Sequence, residues 1–413
     1  MICLICSIFL VDKRFYMKVL WFSGNPALYA NRDSHNGGGW IASLQRELMF
    51  HVASDFQLAI AFPWNYNFKQ ENDSFIYYGI KAIRHSFWRY KTKEEECLCE
   101  IKKIIEDFGP DVIHVFGTEQ VFGLVATCTN VPVVIHLQGI LTACREAWLP
   151  YSMSWSEFCF SGVKNYIMKL GIDRNVKREL QIFRACKNYM GRTDWDKRLS
   201  LLLNPESKYY YCSEMLRPEI YYSDRIWKFV ENKKIKKIIS VISGPLYKGG
   251  DVILRVAKIL KQLNFPFIWN VYGVHEMKTW EKITCLKCKD VNVVLKGVVD
   301  AKNLVDSIVD ADIFVHPSYI ENSPNSVCEA QVLGIPIVAC NVGGVSSIIR
   351  HEKTGVLVPA NDIFMMASRI KEICECKSFA ENLGRNARIE ALTRHSPQKI
   401  IDDLMNVYIS ITR

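Results

Sequence analysis

The chain has no long uninterrupted apolar run. It also has little excess of any residue type that would mark an unusual class of protein. A membrane-spanning helix needs about 20 consecutive, mostly apolar residues, and no stretch of the 413 residues approaches that length. Hydrophobic residues make up 49% and charged residues 23%, which is the balance of a globular protein and excludes a disordered or fibrous one. At this length, two or three domains of about 150 residues each are expected.

The first sixteen residues lack the features of a signal peptide. The apolar run Ile2–Val11 has no basic residues before it and no small-residue cleavage site after it. From Met17 the sequence reads like the first buried strand of an α/β domain. We therefore expect the structural chain to start near Met17, with residues 1–16 as an upstream start or a loose extension; a weak membrane-touching tail is the alternative.

Metal-ligand patterns are also scarce. Of the fifteen cysteines, Cys285 and Cys288 have zinc-like spacing, and no second CxxC or HxxxH lies at a suitable distance from them. Cys328 and Cys340 lie inside helix and strand patterns. We expect reduced cytosolic thiols, with structural zinc as the minor alternative.

The net charge of +9 is modest but unevenly distributed. Residues 161–198 contain ten basic side chains and four acidic ones, directly after the aromatic residues of segment 148–160. Basic helices beside exposed aromatic residues suit an anionic membrane surface or a phosphate-bearing partner. A solvated helical face over an aromatic core explains the pattern equally well. Nucleic acid is not expected, because no nucleic-acid motif accompanies the charge.

Short β-branched runs alternate with helical patterns, which predicts parallel α/β sheets. Strands are expected near 18–23, 56–62, 111–116, 132–137, 208–212, 238–242, 267–272, 291–295, 312–316 and 336–340, and first-half helices near 40–50, 93–108 and 154–190. We expect two domains, 17–230 and 231–395, and a final helix in 396–413 that either completes the second domain or returns to the first. A ligand site is expected in the cleft between them, beyond the carboxyl ends of the strands.

The densest motif contains two glutamates eight positions apart, Glu321 and Glu329. A buried strand ends at His316, and Ser323-Pro324 then begins a helix whose first amides, from Asn325 onward, form an anion site. Glu329, inside that helix, has the reach to accept two hydrogen bonds from a ribose diol, and Glu321 faces whatever is attached to the phosphate. In isolation the pair would be two surface charges beside an ordinary helix cap.

The pair is followed by Gly343-Gly344 and by Lys353-Thr-Gly355, and with these motifs the chain resembles the retaining glycosyltransferases of family four, the glycosyl transferases group 1. The resemblance covers residues 17–413 and is sharpest from 312 to 360. It implies the GT-B fold, an α/β architecture of two facing Rossmann-like domains with the active site in the interdomain cleft. It also implies that Glu329 binds the donor ribose, Glu321 the donor sugar or its surroundings, and the amides of Ser326 and Val327 the phosphates.

Two further stretches carry the resemblance. The loop with Gly244, Lys248 and Gly249 follows the first strand of the second domain, and Lys248 would neutralise the leaving diphosphate. The family commonly has an arginine where Pro245 stands; Arg192 is the candidate replacement. In the first domain, Gly37, Gly38 and Gly39 form a loop implied to pack against the diphosphate. His136 ends a buried strand where the family often has a histidine near the acceptor and donor sugar, although such histidines are usually structural.

The expected activity is transfer of a hexose from a nucleoside-diphosphate sugar, UDP rather than GDP, to a hydroxyl of a glycan or polyprenyl-diphosphate-linked acceptor, with retention. No cofactor is expected, and no metal, because no DxD-like carboxylate pair stands beside these motifs. Surface polysaccharide synthesis at the cytoplasmic membrane face is the expected role. A sugar-nucleotide epimerase of similar fold and a catalytically weak sugar-nucleotide-binding protein are the alternatives.

Overall fold

The computed structural model describes residues 17–29, 39–51, 56–72, 75–81 and 90–413. The expectations for residues 1–16, for Gly37 and for Gly38 lie outside these described residues. Within them the strands form one sheet of eight and one of six.

The first sheet is built from the chain before residue 212, in the order β3-β4-β2-β1-β5-β6-β7-β8. Its strands are β1 (Met17–Phe22), β2 (Phe56–Trp64), β3 (Phe68–Asn72), β4 (Phe75–Lys81), β5 (Val112–Phe116), β6 (Val133–His136), β7 (Asn188–Gly191) and β8 (Lys208–Tyr211). All pairs are parallel except β3 with β4. The central strands β1 and β5 are almost entirely buried, as is usual for a parallel sheet covered on both faces.

The helices of the chain before residue 222 are α1 (Gly39–His51), α2 (Tyr90–Phe108), α3 (Leu141–Glu146), α4 (Trp155–Phe160), α5 (Val163–Ala185), α6 (Asp194–Leu203) and α7 (Pro218–Tyr221), with a 3₁₀ helix at Val121–Thr127. Helix α1 packs on one face of this sheet and α2 and α5 on the other, whereas Phe158 of α4 and Ile220 of α7 pack in the second core. The segment 154–190, expected to be helical throughout, contains two helices and then β7. The strand forms because Tyr189 and Met190 fill the space between β6 and β8 and become fully buried there.

The second sheet is entirely parallel, in the order β11-β10-β9-β12-β13-β14. Its strands are β9 (Lys236–Val241), β10 (Phe267–Tyr272), β11 (Val293–Gly297), β12 (Ile313–His316), β13 (Ile337–Cys340) and β14 (Val356–Val358). The later helices are α8 (Gly250–Gln262), α9 (Lys278–Thr284), α10 (Ala301–Val309), α11 (Asn325–Leu333), α12 (Val345–Ile348), α13 (Ile363–Glu375), α14 (Lys377–Arg394) and α15 (Pro397–Thr412), with 3₁₀ turns at Leu246–Lys248 and Cys288–Val291. The predicted α/β architecture of two sheets is confirmed.

The chain crosses between the two cores twice. Met215 packs in the core of the first sheet, whereas Leu216 and the following Ile220 and Trp227 pack in the core of the second. The first crossing therefore precedes residue 231, where the boundary was expected. The return crossing follows α14: helix α15 packs against the first sheet, where the hydroxyl of Tyr408 accepts a hydrogen bond from Nε1 of Trp21 at 2.9 Å.

Candidate active site

The carboxyl ends of the two sheets face a shared cavity of about 470 Å³. Asn25 and Gln138 line it from the loops after β1 and β6, and Ser243 lines it from the loop after β9. This is where open parallel sheets bind ligands, and the volume suits a small organic molecule. Of the residues expected to act here, these line the cavity: Gly39, Lys248, Glu321, Asn325, Ser326 and Glu329.

Lys248 and Glu321 form an ion pair in the wall of the cavity. The Lys248 Nζ lies 2.5 Å from Oε1 of Glu321, which also accepts a hydrogen bond from the Ser318 hydroxyl at 3.0 Å. Burial acts to raise the pKa of Glu321, but the charge of Lys248, the nearby His316 and these hydrogen bonds outweigh it and lower the pKa below its ordinary value. Glu321 is therefore an anion, and Lys248 presents a fixed positive charge to the cavity.

His316, the last residue of β12, also lines the cavity. Its Nε2 lies 3.6 Å from Oε1 of Glu321, and neither ring nitrogen has a hydrogen-bond partner among the described residues. Burial lowers the pKa of His316 to about 4, so the ring is neutral and can donate one hydrogen bond and accept another. Sequence reasoning identified this residue only as a strand end.

Helix α11 points its amino terminus at the cavity. Asn325 and Ser326 line it, and the first amides of a helix have no carbonyl partner within the helix. The amide of Val327 instead donates to the carbonyl of Pro324 at 2.9 Å, and its side chain is fully buried. Asn325 and Ser326 suit an anion, and the phosphate contact expected for the Val327 amide stays a prediction.

Glu329 lies one turn further along α11 and is held by Arg217, for which the sequence motifs predict no role. Nε and Nη2 of Arg217 each donate to one carboxylate oxygen of Glu329, both at 2.8 Å. Both side chains line the cavity. Arg217 and Glu329 are 112 positions apart in the chain, so their contact could be found only from the folded structure.

Arg192, the proposed substitute cation, also reaches the cavity. Its guanidinium lies 4.7 Å from the ring centre of Trp40, and Nη1 lies 3.7 Å from Oε2 of Glu214. Pro245 begins the 3₁₀ turn that carries Lys248. Gly244 is not among the lining residues, and a Cβ there would meet nothing within 4 Å, so its expected donor contact stays a prediction.

His136 lies beneath the cavity and does not line it. The ring is fully buried, 5.5 Å from the ring of His114 and 4.9 Å from the ring of Trp40, measured between centroids. Burial, followed by the charge of Arg192, holds the pKa of His136 well below its ordinary value. The neutral ring supports Trp40 from below in this structure, and its catalytic role stays a prediction.

The start of helix α6 and the turn with Gly343 and Gly344 meet at the contact between the sheets. Thr193 caps α6, accepting from the amide of Asp196, and its hydroxyl donates to Oδ1 of Asn322 at 2.6 Å. A Cβ on Gly344 would lie 2.6 Å from Cγ2 of Thr193, and one on Gly343 would lie 2.0 Å from the carbonyl oxygen of Glu321. The two glycines thus let α6 and the Glu321 loop approach the same turn.

The described residues contain one group with metal-ligand chemistry, and it does not include Cys285 or Cys288. It consists of Glu214, Cys328 and His395, all fully buried. Cys328 donates to Glu214 Oε1 at 3.3 Å, and Nδ1 of His395 lies 3.0 Å from the Glu214 carbonyl. Burial raises the pKa of the Cys328 thiol, so the sulfur acts as a hydrogen-bond donor in this structure. The contacts of this group connect Glu214, at the first crossing of the chain, with His395, at the return crossing.

The second sheet matches a known family. Residues 223–390 match the family described as glycosyl transferases group 1. The match covers less than half of the chain, and we call the matched segment the group 1 domain. The domain contains Lys248, Glu321, Glu329 and the amino terminus of α11, whereas Arg192 and Arg217 precede it in the chain.

Similar proteins extend this result. A curated relative, the capsular polysaccharide biosynthesis glycosyltransferase CapM of Staphylococcus aureus, is 25% identical over 160 residues, which cover 33% of this chain and 42% of CapM. The chain spans half or less of the length of the first curated relatives it matches. Homologues of the group 1 domain are thus glycosyltransferases of capsular and other polysaccharide biosynthesis.

Solved structures show the fold of the whole chain. Sucrose-phosphate synthase from Thermosynechococcus elongatus aligns with a TM-score of 0.73 at 15% identity, over 96% of this chain and 99% of that one. Anabaena HepE in complex with UDP-glucose aligns with a TM-score of 0.64 at 14% identity, over 95% of this chain and 100% of that one. The predicted GT-B fold, with the group 1 domain as its second half, is confirmed.

Proposed function

We propose that the chain is a retaining, metal-independent glycosyltransferase that moves a hexose from a nucleoside-diphosphate sugar to a hydroxyl of a glycan or polyprenyl-diphosphate-linked acceptor. The observation that carries the proposal is that one cavity between the sheets is lined by Lys248, Glu321, Glu329 and the first residues of α11. We take UDP as the nucleotide of the donor, in keeping with HepE, whose complex contains UDP-glucose.

Different residues of the cavity bind different parts of the donor. Glu329 accepts hydrogen bonds from the ribose, and the amides of Asn325 and Ser326 face the diphosphate. Lys248, held by Glu321, stabilises the negative charge that develops as the bond from the anomeric carbon to the phosphate oxygen breaks. The acceptor oxygen bonds to the same face of the anomeric carbon, and its proton passes to the departing phosphate. Arg192 supplies the second cation that Pro245 cannot.

The test is incubation of the full chain with UDP-sugars and GDP-sugars, with and without lipid-linked acceptors, in the presence of EDTA. We expect an acceptor-dependent product whose anomeric configuration, read by NMR, equals that of the donor. A change of the donor sugar without acceptor would indicate an epimerase, and binding without turnover a catalytically weak binding protein. Inversion, or loss of activity in EDTA, would contradict the mechanism.

A variant series locates the donor site. Glu329→Ala should weaken donor binding, whereas Lys248→Ala should lower kcat more than it raises KM, because its charge acts on the leaving group. Lys278→Ala is the matched control, since that lysine is 80% exposed and pairs with Glu276 on the surface. Unchanged donor affinity in Glu329→Ala would remove the assigned ribose site.

We further propose that the segment around α4 and α5 binds an anionic membrane on the cytoplasmic face, where a lipid-linked acceptor would reside. Phe160 is 90% exposed and Val163 76%, and Tyr166 and Ile167 are also exposed, on a segment that contains Lys164. Exposed apolar side chains among lysines suit an anionic lipid surface. None of the described helices is long and apolar enough to cross a membrane.

Flotation with phosphatidylglycerol-containing vesicles tests this surface. The wild type should float, and the double variant Phe160→Ser/Ile167→Ser should not. Phe364→Ser is the control, because Phe364 is also exposed but lies on α13 in the other half of the molecule. If the wild type stays unbound, or the double variant floats equally well, the segment is only a solvated helical face.

A further inference from the structure

The carboxylate assigned to the nucleotide ribose is already paired with a guanidinium in this structure. Arg217 donates from Nε to Oε1 and from Nη2 to Oε2 of Glu329, both at 2.8 Å. The two side chains are only 12% and 7% exposed. A two-point contact of this kind fixes the plane and the direction of the carboxylate, and it is among the strongest hydrogen-bonded pairs in proteins.

Two relationships between Arg217 and a bound ribose are conceivable, and the geometry distinguishes them. If the ribose had to displace Arg217, a nearly buried guanidinium would lose its partner, which is strongly unfavourable. A carboxylate has about four acceptor positions, and the guanidinium occupies two of them, one on each oxygen. The two remaining positions point to opposite sides of the carboxylate, so one of them can accept a ribose hydroxyl while Arg217 stays in place.

The backbone around Arg217 holds the guanidinium in a fixed position. Met215 is buried in the core of the first sheet and Leu216 in the core of the second, so Arg217 stands at the crossing between them. Pro218 then begins α7, and the Tyr221 hydroxyl bonds the carbonyl of Leu392 at 3.1 Å, near the return crossing. The direction of the Glu329 carboxylate is therefore tied to the two connections between the sheets.

We propose that Arg217 is a positioning residue that fixes the Glu329 carboxylate so that a free acceptor position receives a ribose hydroxyl of the donor nucleotide. This rests on the proposed function, because it takes Glu329 as the ribose ligand. It adds that the nucleotide site of the group 1 domain is completed by a residue outside the domain's core motifs. Arg217 binds the carboxylate, and the carboxylate binds the nucleotide.

The test compares UDP with 2′-deoxy-UDP and with 3′-deoxy-UDP by isothermal titration calorimetry on the full chain, because the analogue that lacks the hydroxyl bound by Glu329 loses that hydrogen bond. The wild type should prefer UDP. In Arg217→Gln the Kd for UDP should rise about 10-fold, as expected when a charge-assisted two-point contact no longer fixes the carboxylate, and the preference for UDP should shrink toward unity. Arg217→Lys keeps the charge without the two-point geometry and should also lose most of the preference.

The control is Arg225→Gln, which removes an ion pair from the same connecting segment to Asp306, far more exposed than the Arg217 pair. It should retain the full preference for UDP. The preference is a ratio measured on the same protein sample, so a partly unfolded variant does not imitate its loss. Tighter binding of UDP by Arg217→Gln would show that Arg217 competes with the ribose, and an unchanged preference would show that it has no part in ribose recognition; either result overturns the inference. If the wild type binds neither UDP nor GDP, the proposed function falls as well.

Discussion

At the scale of the residue, Gly249 shows how a backbone constraint places a charged side chain. Its φ is 75°, and a Cβ there would lie 2.1 Å from the carbonyl oxygen of Pro317. Lys248 immediately precedes it, so the same close approach that requires glycine brings the lysine beside Glu321. We expect Gly249→Ala to lower the free energy of unfolding by about 2–4 kcal/mol, from the left-handed conformation and the clash together.

Urea unfolding followed by circular dichroism measures this cost, and Gly171→Ala is the matched control. Gly171 lies inside helix α5, where a Cβ would meet nothing within 4 Å. The same substitution there should raise stability by about 0.5–1 kcal/mol, because alanine favours the helix. Equal effects at the two glycines would contradict the role given to the Pro317 contact.

The sequence predicted those site residues whose chemistry is carried by a local motif. Lys248, Glu321 and Glu329 could be assigned because each stands beside a strand end or a helix start in an ordered run of motifs. The roles of Arg217 and His316 follow from contacts with residues of other elements, which only the structure shows. The Val327 amide shows a further limit, since the hydrogen bonding of a helix's first turn depends on the angle at which the chain enters it.

At the scale of the element, helix α15 is anchored to the first sheet by one buried hydroxyl. The Tyr408 oxygen lies 2.9 Å from Nε1 of Trp21 on β1 and 2.7 Å from Nδ1 of His114 on β5. Tyr408→Phe leaves both groups buried without this partner. We expect a loss of about 1–3 kcal/mol in the free energy of unfolding. Tyr222→Phe is the control, because that side chain is 62% exposed, and a matching loss there would refute the assignment.

Most strands with a clear apolar run were predicted, although β4 and β14 were not, and strands without such a run were missed. Strands β9, β10, β12 and β13 fall within about two residues of their predicted bounds, as apolar runs between turn residues should. Strand β3 is polar and mostly exposed at the sheet edge, so only its pairing with β4 makes it a strand. Strand β7 has four residues, too few for a period, and its place is set by its two neighbours.

At the scale of the whole molecule, polar contacts between the two halves converge on short stretches of chain. Thr193 bonds Asn322, and the Ser323 hydroxyl donates to Glu214 Oε1 at 2.6 Å. The residues between Asn322 and Glu329 therefore serve the donor site and the contact between the halves at once. This shared use links nucleotide binding to the relative placement of the two sheets, and no single-domain pattern in the sequence contains that information.

The buried histidines of both halves give the molecule a common response to acid. Burial lowers the pKa from 6.5 to about 3 for His114 and to about 4 for His316 and His395, and it lowers that of His136 well below 6.5. These rings stay neutral in the folded state and become charged when the chain unfolds. Their contribution is fully present above pH 6.5 and is lost as the pH falls toward 4. Burial raises the pKa of Glu119 to about 7 and also raises those of Asp196 and Asp251, so three carboxyl groups act in the opposite direction against four histidines.

We therefore expect the free energy of unfolding to fall steadily between pH 6.5 and pH 4.5, because the unfolded chain binds more protons over that range. Urea unfolding at pH 7.5, 6.5, 5.5 and 4.5 measures the slope. His395→Gln removes one of the responsible rings and should reduce the slope, whereas His351→Gln, at a side chain that is 51% exposed, should leave it unchanged. A stability that is flat or rises toward pH 4.5 would show that the carboxyl groups with raised pKa, Glu119 foremost, outweigh the histidines.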